Sequence, residues 1–385
     1  MLLCKGFEVE MYTGKPNGTI VGLSDRIVRD LQGFVREPDS RNVEYTTAPL
    51  CCYERLLCAL VRPRVQLRHY LKAQGNYTII PGSTLSLEGS DRFYRSDPQN
   101  PYHDYIENTY GTKVVTASIH INVGFEDTEK LIQACRLIRL EAPLYLALSA
   151  SSPFIDGKAT GYHSTRWAVF PQTPSYVPLF EDHAHHIRWV NQQLDQKTMQ
   201  NVRHLWLSVR PNGDHRPYNL NRLELRICDL IIDPIALLAV TALLEARLTQ
   251  MLLTPDLDPL QQSHLPEHSR AEDLVTIAYE NEQAVARNSL AAQLRHWQDG
   301  RPIIAEDWIK DIYHQVYPLA KAKGFSCFLS PVQKILREGN TAQKWLREYE
   351  KGVSPTDLIT QGINEMEQEE AELEDKLCQP LVISH

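Results

Sequence analysis

Gly6-Phe7-Glu8-Val9-Glu10-Met11 alternates apolar and polar residues with the period of a β-strand. Phe7, Val9 and Met11 share one face, and Glu8 and Glu10 share the other. Glutamate is depleted in strands, because a pleated surface favours branched and aromatic side chains. Crowded carboxylates also repel one another unless positive charge lies among them.

The pattern recurs along the chain. Val43-Glu44-Tyr45-Thr46-Thr47 places Glu44 and Thr46 on one face, and Ile119-His120-Ile121-Asn122-Val123-Gly124 presents His120 and Asn122. Leu223-Glu224-Leu225-Arg226-Ile227 presents Glu224 and Arg226, and Leu205-Trp206-Leu207-Ser208-Val209-Arg210 brings Arg210 to a strand end. Any one of these reads more readily as the wet side of an antiparallel sheet. Together, with Lys and Thr nearly missing from the polar faces, they predict a sheet with one face for the core and one for a metal-and-anion site. A hard divalent cation, Mg²⁺ or Mn²⁺, takes oxygen ligands and keeps positions open for phosphate or water. Periodicity alone names no reaction.

Helical patterns lie between the strands. Ser24-Asp25 opens one that runs to about Gly33, and Tyr53 to Gln74 reads as helical with a break at Pro63. Asp127 or Thr128 caps another, carrying Leu131, Ile132, Cys135 and Ile138 and ended by Pro143. From Pro234 onward helices dominate. Pro255, Pro259 and Pro266 mark a loop there, and Ser269 with Glu272 forms a capping box for a helix running to Gly300. Another helix spans about Ala305 to Lys323. Thr356 to Leu377 is a very acidic helix, expected at the surface or frayed. Strands early and helices late give an α+β fold, with residues 1–300 as the catalytic domain and 301–385 as a helical extension.

Composition narrows the class. Of 385 residues, 43% are hydrophobic and 23% charged, which is ordinary for a globular protein, and the net charge of −8 argues against nucleic-acid binding. The apolar run from Pro234 is interrupted by Glu245 and Arg247, and the N-terminus lacks a basic region leading into an apolar core. The expectation is therefore a cytoplasmic protein without a membrane partner. The eight cysteines contain no Cys-x-x-Cys pair, so Cys51 and Cys52 are expected reduced and most others buried as small apolar residues. Glu181-Asp182-His183-Ala184-His185-His186 lacks the His-Glu-x-x-His spacing of a zinc helix and reads as a surface helix start or a substrate-loop contact. Neither a P-loop nor a Gly-x-Ser-x-Gly elbow occurs.

At the same residues the chain resembles the glutamate–cysteine ligase family of carboxylate–amine ligases, most closely its cyanobacterial type. The resemblance rests on Gly6 to Glu10, His120 to Gly124, and Ala147-Leu148-Ser149-Ala150-Ser151-Ser152-Pro153-Phe154. It continues through Thr160-Gly161-Tyr162-His163-Ser164-Thr165-Arg166, Arg210-Pro211, and Leu223 to Asp229. These blocks stand in the family's order over about residues 5 to 290.

The resemblance implies a glutamine-synthetase-like fold, a curved antiparallel sheet forming a funnel with helices outside. It implies ATP-dependent joining of the γ-carboxylate of L-glutamate to the amine of L-cysteine through a γ-glutamyl phosphate, the first step of glutathione synthesis. Glu8, Glu10, Glu37, Glu44, His120 and Glu224 would ligate Mg²⁺, and Arg226 with Arg210 would contact the transferring phosphoryl group. Arg166 would take a substrate α-carboxylate, and Asn122, Tyr162, Asn281 and Arg287 would join the substrate set. Asn122 stands where many relatives have the second histidine of His-x-His-Val-Gly, and it cannot supply the same ring nitrogen. A different amine, a metal-dependent phosphohydrolase and a silent relative are the rival readings. Oligomeric state is left open.

Overall fold

A computed structural model describes residues 2–254 and 257–378. Its centre is the strand carrying Glu8 and Glu10, β1 (Lys5–Gly14). Around it lie β2 (Phe34–Arg36), β3 (Asn42–Thr46), β4 (Thr78–Ile80) and β5 (Ile119–Gly124). Two short pairing segments, β6 (Phe154–Ile155) and β7 (Lys158–Ala159), precede β8 (Val209–Asn212) and β9 (Arg222–Leu225). The main sheet runs β2-β3-β1-β5-β9-β8, with β4 also on β1, and every pairing is antiparallel. The fold is thus α+β around an antiparallel sheet.

Register puts the polar residues on one face. Glu10 lies opposite Glu44, Glu8 opposite His120, Asn122 opposite Glu224, and Glu224 opposite Arg210. The other face, with Phe7, Val9, Met11, Val43, Ile119, Ile121, Leu223 and Leu225, is fully buried.

Helices cover that apolar face. In chain order they are α1 (Ser24–Asp30), α2 (Tyr53–Gly75), α3 (Pro101–Tyr110), α4 (Thr128–Ser149), α5 (Thr165–Val169), α6 (His183–Asp195) and α7 (Pro234–Leu253). Then follow α8 (Pro259–Gln262), α9 (Arg270–Asn288), the ribbon β10 (Gln293–Arg295) with β11 (Pro302–Ile304), and α10 (Ala305–Ala322). The chain continues through α11 (Ser326–Leu329), α12 (Val332–Glu338), α13 (Thr341–Glu350) and α14 (Pro355–Leu377). Helix α4 packs behind β8 and β9, and α2 behind β1.

Helix α7 is long and apolar enough to cross a membrane, yet 78% of its most apolar window is buried in the protein. The charges that interrupt its sequence are buried and paired. Glu245 meets Lys5 at 2.6 Å and Tyr53 at 2.6 Å, and Arg247 meets Glu141 at 2.5 Å.

Several local expectations are overturned. Both α2 and α4 run straight through Pro63 and Pro143. A proline removes one hydrogen bond, but every residue from Leu131 to Ser149 is buried, and that burial outweighs the loss. Ser24 is the first helical residue of α1 rather than its cap. Ser269 does stand at the N-cap of α9, but its hydroxyl donates to Asp273 instead of closing a capping box, and α9 stops at Asn288, well before Gly300. The strand expected from Leu205 begins only at Val209, because Trp206 turns away to bridge with Thr173. Pro259 opens a one-turn helix, while Pro255 lies outside the described residues.

The acidic helix α14 is neither wholly exposed nor frayed. Its Leu358, Ile359, Ile363, Met366 and Glu370 are buried, and Glu370 accepts from Arg68 of α2 at 2.6 Å. Two cysteine pairs also stand against the expectation of free thiols: Cys4 with Cys51 (Cα–Cα 4.2 Å) and Cys58 with Cys378 (Cα–Cα 5.3 Å). Cys135 and Cys228 are buried as expected.

Candidate active site

Strand alternation and pairing register deliver Glu8, Glu10, Glu44, His120 and Glu224 to one face, and Glu37 joins them from the position just after β2. They form two groups whose ligand atoms lie within 4.8 Å of one another: Glu8, His120 and Glu224, and beside it Glu10, Glu37 and Glu44. Ser118 stands between the groups, its hydroxyl donating to Glu10 Oε2 at 2.7 Å and lying 3.1 Å from His120 Nε2. His120 Nδ1 meets Glu8 Oε2 at 2.9 Å, and Asn122 Nδ2 donates to Glu8 Oε1 at 3.1 Å.

The two groups differ in electrostatics. Glu224 is fully buried, which alone would favour its neutral form, but Arg210, Arg226 and His120 hold its carboxyl well below the usual range. Arg210 donates from Nε to Oε2 at 2.7 Å and from Nη2 to Oε1 at 3.1 Å, and Asn212 adds a bond of 2.6 Å. Arg226 Nη1 donates to Oε1 at 2.5 Å. Among the described residues no arginine pairs with the Glu10 group, and Arg226 acts on Glu37 only as a minor influence. Burial first, then the charge of Glu10, pushes Glu37 up to about 8. Burial, then Glu37, Glu8 and Glu10, pushes Glu44 well above the carboxylate range.

This arrangement fits a hard cation. Carboxylates that must hold protons against one another release that strain when divalent charge is supplied. The donors are oxygens with one imidazole, as Mg²⁺ or Mn²⁺ accepts, and the buried Asn122 Oδ1 has no hydrogen-bond partner among the described residues and faces the same side of the sheet.

The remaining expected residues sit around this face differently. Arg166 is buried, its Nη1 donating to Ile227 O at 3.0 Å and Nη2 to Arg226 O at 2.9 Å. It is therefore occupied by the backbone that carries Arg226, whose own N–H donates to Ser208 O at 2.7 Å. Asn281 is likewise occupied, bonding both the N–H and the C=O of Arg295 at 2.8 and 2.9 Å. Arg287 is exposed and stacks over Tyr162, 5.6 Å from the ring centroid, outside the two carboxylate groups. The histidine run resolves into α6: His183 meets Pro217 O at 2.8 Å, and buried His186 is pushed down to about 3 by desolvation.

Four residues were missed by sequence reasoning. Asp229 accepts from Ser151 N, Ser152 Oγ and Ser164 Oγ at 2.9, 2.7 and 2.8 Å, tying three of the motif blocks together. Tyr102 of α3 is half-buried near Arg203, Arg210 and Glu37. Glu282 is buried and bonded by Trp167 and Gln172, and desolvation pushes its carboxyl up to about 7. Arg216 lies in the β8–β9 loop beside Arg210. The repeat of Arg-Pro at 210–211 and 216–217 was a signal for it, and Asp229 closes the block that begins at Leu223; Tyr102 and Glu282 lie in helices whose facing partners no local pattern gives.

Comparison with known proteins places this geometry among relatives. A model of glutamate-cysteine ligase family 2 matches residues 4–378. A protein of Rubrobacter xylanophilus, provisionally named glutamate–cysteine ligase 2-1, is 26% identical over 360 residues, covering 91% of this chain and 90% of its own length. A relative in Frankia casuarinae with the same provisional name is 30% identical over 232 residues, 59% of this chain and 56% of that one. Among solved structures, the glutamate–cysteine ligase of Francisella tularensis in complex with AMP superposes with a TM-score of 0.70 at 12% identity, covering 98% and 93% of the two chains. The bifunctional glutathione synthetase of Pasteurella multocida gives 0.73 at 13% identity, with 97% of this chain matching 53% of that longer one.

Proposed function

The chain belongs to glutamate-cysteine ligase family 2, and on that premise we propose that it joins the γ-carboxylate of L-glutamate to the amine of L-cysteine using ATP. The observation that carries this reading is that two carboxylate groups, one of them paired through Glu224 with Arg210 and Arg226, share one sheet face. Such a surface handles several anions at once, as a nucleotide and an amino acid carboxylate require.

A carboxylate resists an amine because its leaving group would be oxide. Transfer of the terminal phosphoryl group to the γ-carboxylate oxygen releases ADP and leaves a γ-glutamyl phosphate. The amine nitrogen then forms its bond to the acyl carbon, and phosphate departs with one original carboxylate oxygen while the nitrogen loses a proton. Glu8, His120 and Glu224, with Glu10, Glu37 and Glu44, would hold Mg²⁺, which supplies neutralising charge for the phosphates. Arg226 would contact the transferring group with its free guanidinium edge, and Arg210, locked on Glu224, would keep that carboxylate ionised. Arg166 we assign to holding Arg226 through its carbonyl rather than to a substrate carboxylate. Asn122 would orient Glu8, and Tyr162 with Arg287 stands as a candidate outer contact for substrate.

The test is ADP formation with ATP and Mg²⁺, first with glutamate alone and then with a panel of amines. ADP and γ-glutamylcysteine formed only with cysteine support the reading. Turnover with another amine replaces the acceptor, and ADP release without any amino acid replaces the ligase by a phosphohydrolase.

A further inference from the structure

Arg216 is placed by a loop that has little freedom. Within it, the N–H groups of Tyr218 and Asn219 both donate to His215 O at 2.9 Å. Gly213 lies so close to the returning strand that an added Cβ would sit 2.0 Å from Asn219 O, so no side chain fits there. From α6, His183 meets Pro217 O at 2.8 Å and Asn191 reaches the Tyr218 hydroxyl at 3.2 Å. The guanidinium is therefore presented from a fixed backbone.

Nothing among the described residues answers it. Among the described residues Arg216 has no ion pair, and its Nη1 is buried without a hydrogen-bond partner. The charges around it are Arg210, Arg203 and Arg222, with Glu224 as the one carboxylate. Glu224 is already committed to Arg210, Arg226 and Asn212. A buried donor left empty and a cation held against like charge are both unfavourable, and an oxyanion relieves both. The planar guanidinium fork suits phosphate oxygens in particular.

We propose that Arg216 binds a phosphate group of the nucleotide substrate, adding to the row of guanidinium groups that includes Arg226 and Arg210. This rests on the ligase reading. Phosphate is favoured over a substrate carboxylate because the row has several members. Arg226 acts on Arg210, Arg210 and the exposed Arg203 act on Arg216, and half-buried Tyr102 lies near Arg203 and Arg210. A chain of linked phosphates can meet several guanidinium groups at once; one carboxylate cannot.

The experiment measures binding of ADP and of a non-hydrolysable ATP analogue, with Mg²⁺, to the wild-type chain and to Arg216→Gln and Arg216→Lys, with adenosine as the ligand lacking phosphate. Arg216→Gln should weaken both nucleotides by about 10- to 100-fold, the loss expected for one charge-assisted hydrogen-bonding group. Arg216→Lys should fall between, while adenosine binding, the KM for glutamate and the melting temperature stay as in wild type. Unchanged nucleotide affinity, or a loss that falls on glutamate instead, overturns the proposal, as does a wild-type chain that binds no nucleotide. A wild-type chain that binds nucleotide through Arg216 but makes no γ-glutamylcysteine overturns the ligase reading and leaves this one standing.

Discussion

Glu224 and Arg226, two positions apart on one strand end, are joined by a hydrogen bond of 2.5 Å from Arg226 Nη1 to Glu224 Oε1. The fully buried carboxylate thereby fixes the guanidinium that is proposed to meet phosphate, while Arg210 and Asn212 close its other sides. One residue serves both the fold and the site, and its neighbours separate the two roles.

Glu224→Gln should cut turnover at least about 100-fold and also destabilise the chain by roughly 3 kcal/mol, because two buried arginines lose their counter-charge. Glu8→Gln should cut turnover comparably while changing stability by less than about 1 kcal/mol, since Glu8 is partly exposed and no guanidinium donates to it. Steady-state rates alongside urea melts of both variants check this. Equal stability losses would contradict the division of roles.

Arg226→Lys keeps a positive charge but loses the fork. Its backbone remains held by Ser208 and Arg166, so the fold should persist while kcat falls by about 100-fold or more. A loss below about threefold would make Arg226 a structural partner of Glu224 only.

Glu282 gives a pH signature apart from the carboxylate groups. Desolvation raises its carboxyl from 4.5 to about 7, so between those values the folded chain holds a proton that the unfolded chain has released. Its contribution to stability is present in full below 4.5 and is lost as pH rises to about 7. Glu282→Gln should flatten that part of the stability–pH curve and leave the variant relatively more stable at pH 8. Parallel curves for the two proteins would contradict the assignment.

Glu370 couples the acidic helix to α2 through Arg68 and, at 3.6 Å, Arg64. Glu370→Ala leaves two buried guanidinium groups short of charge and should cost about 3 kcal/mol or more. Protease nicking of α14 should accelerate before global unfolding, because the helix loses its only fully buried acid.

The sheet was legible because alternation is a property of backbone geometry: Glu8, Glu10, Glu44, His120 and Glu224 needed only the strand period to be placed together. Glu37 lies beyond the end of β2, where that period stops, and entered through resemblance alone. Pro63 and Pro143 misled because a helix breaker is a local property, whereas the burial that carries α2 and α4 past them is tertiary. Arg166 and Asn281 were expected to meet substrate, but the groups that occupy them are main-chain atoms of Arg226, Ile227 and Arg295, which no side-chain pattern reveals. The pairing of Cys58 with Cys378 joins positions separated by 320 residues, and nothing in the spacing announces it.

Phosphoryl transfer to the γ-carboxylate on this sheet face is the proposed activating step. It is tested most directly by turning over glutamate labelled with ¹⁸O in the γ-carboxylate, together with ATP, Mg²⁺ and cysteine, and analysing the released phosphate by mass spectrometry. One ¹⁸O is expected in each phosphate formed per γ-glutamylcysteine. Phosphate free of label would mean that its oxygen came from water, and would contradict the claim.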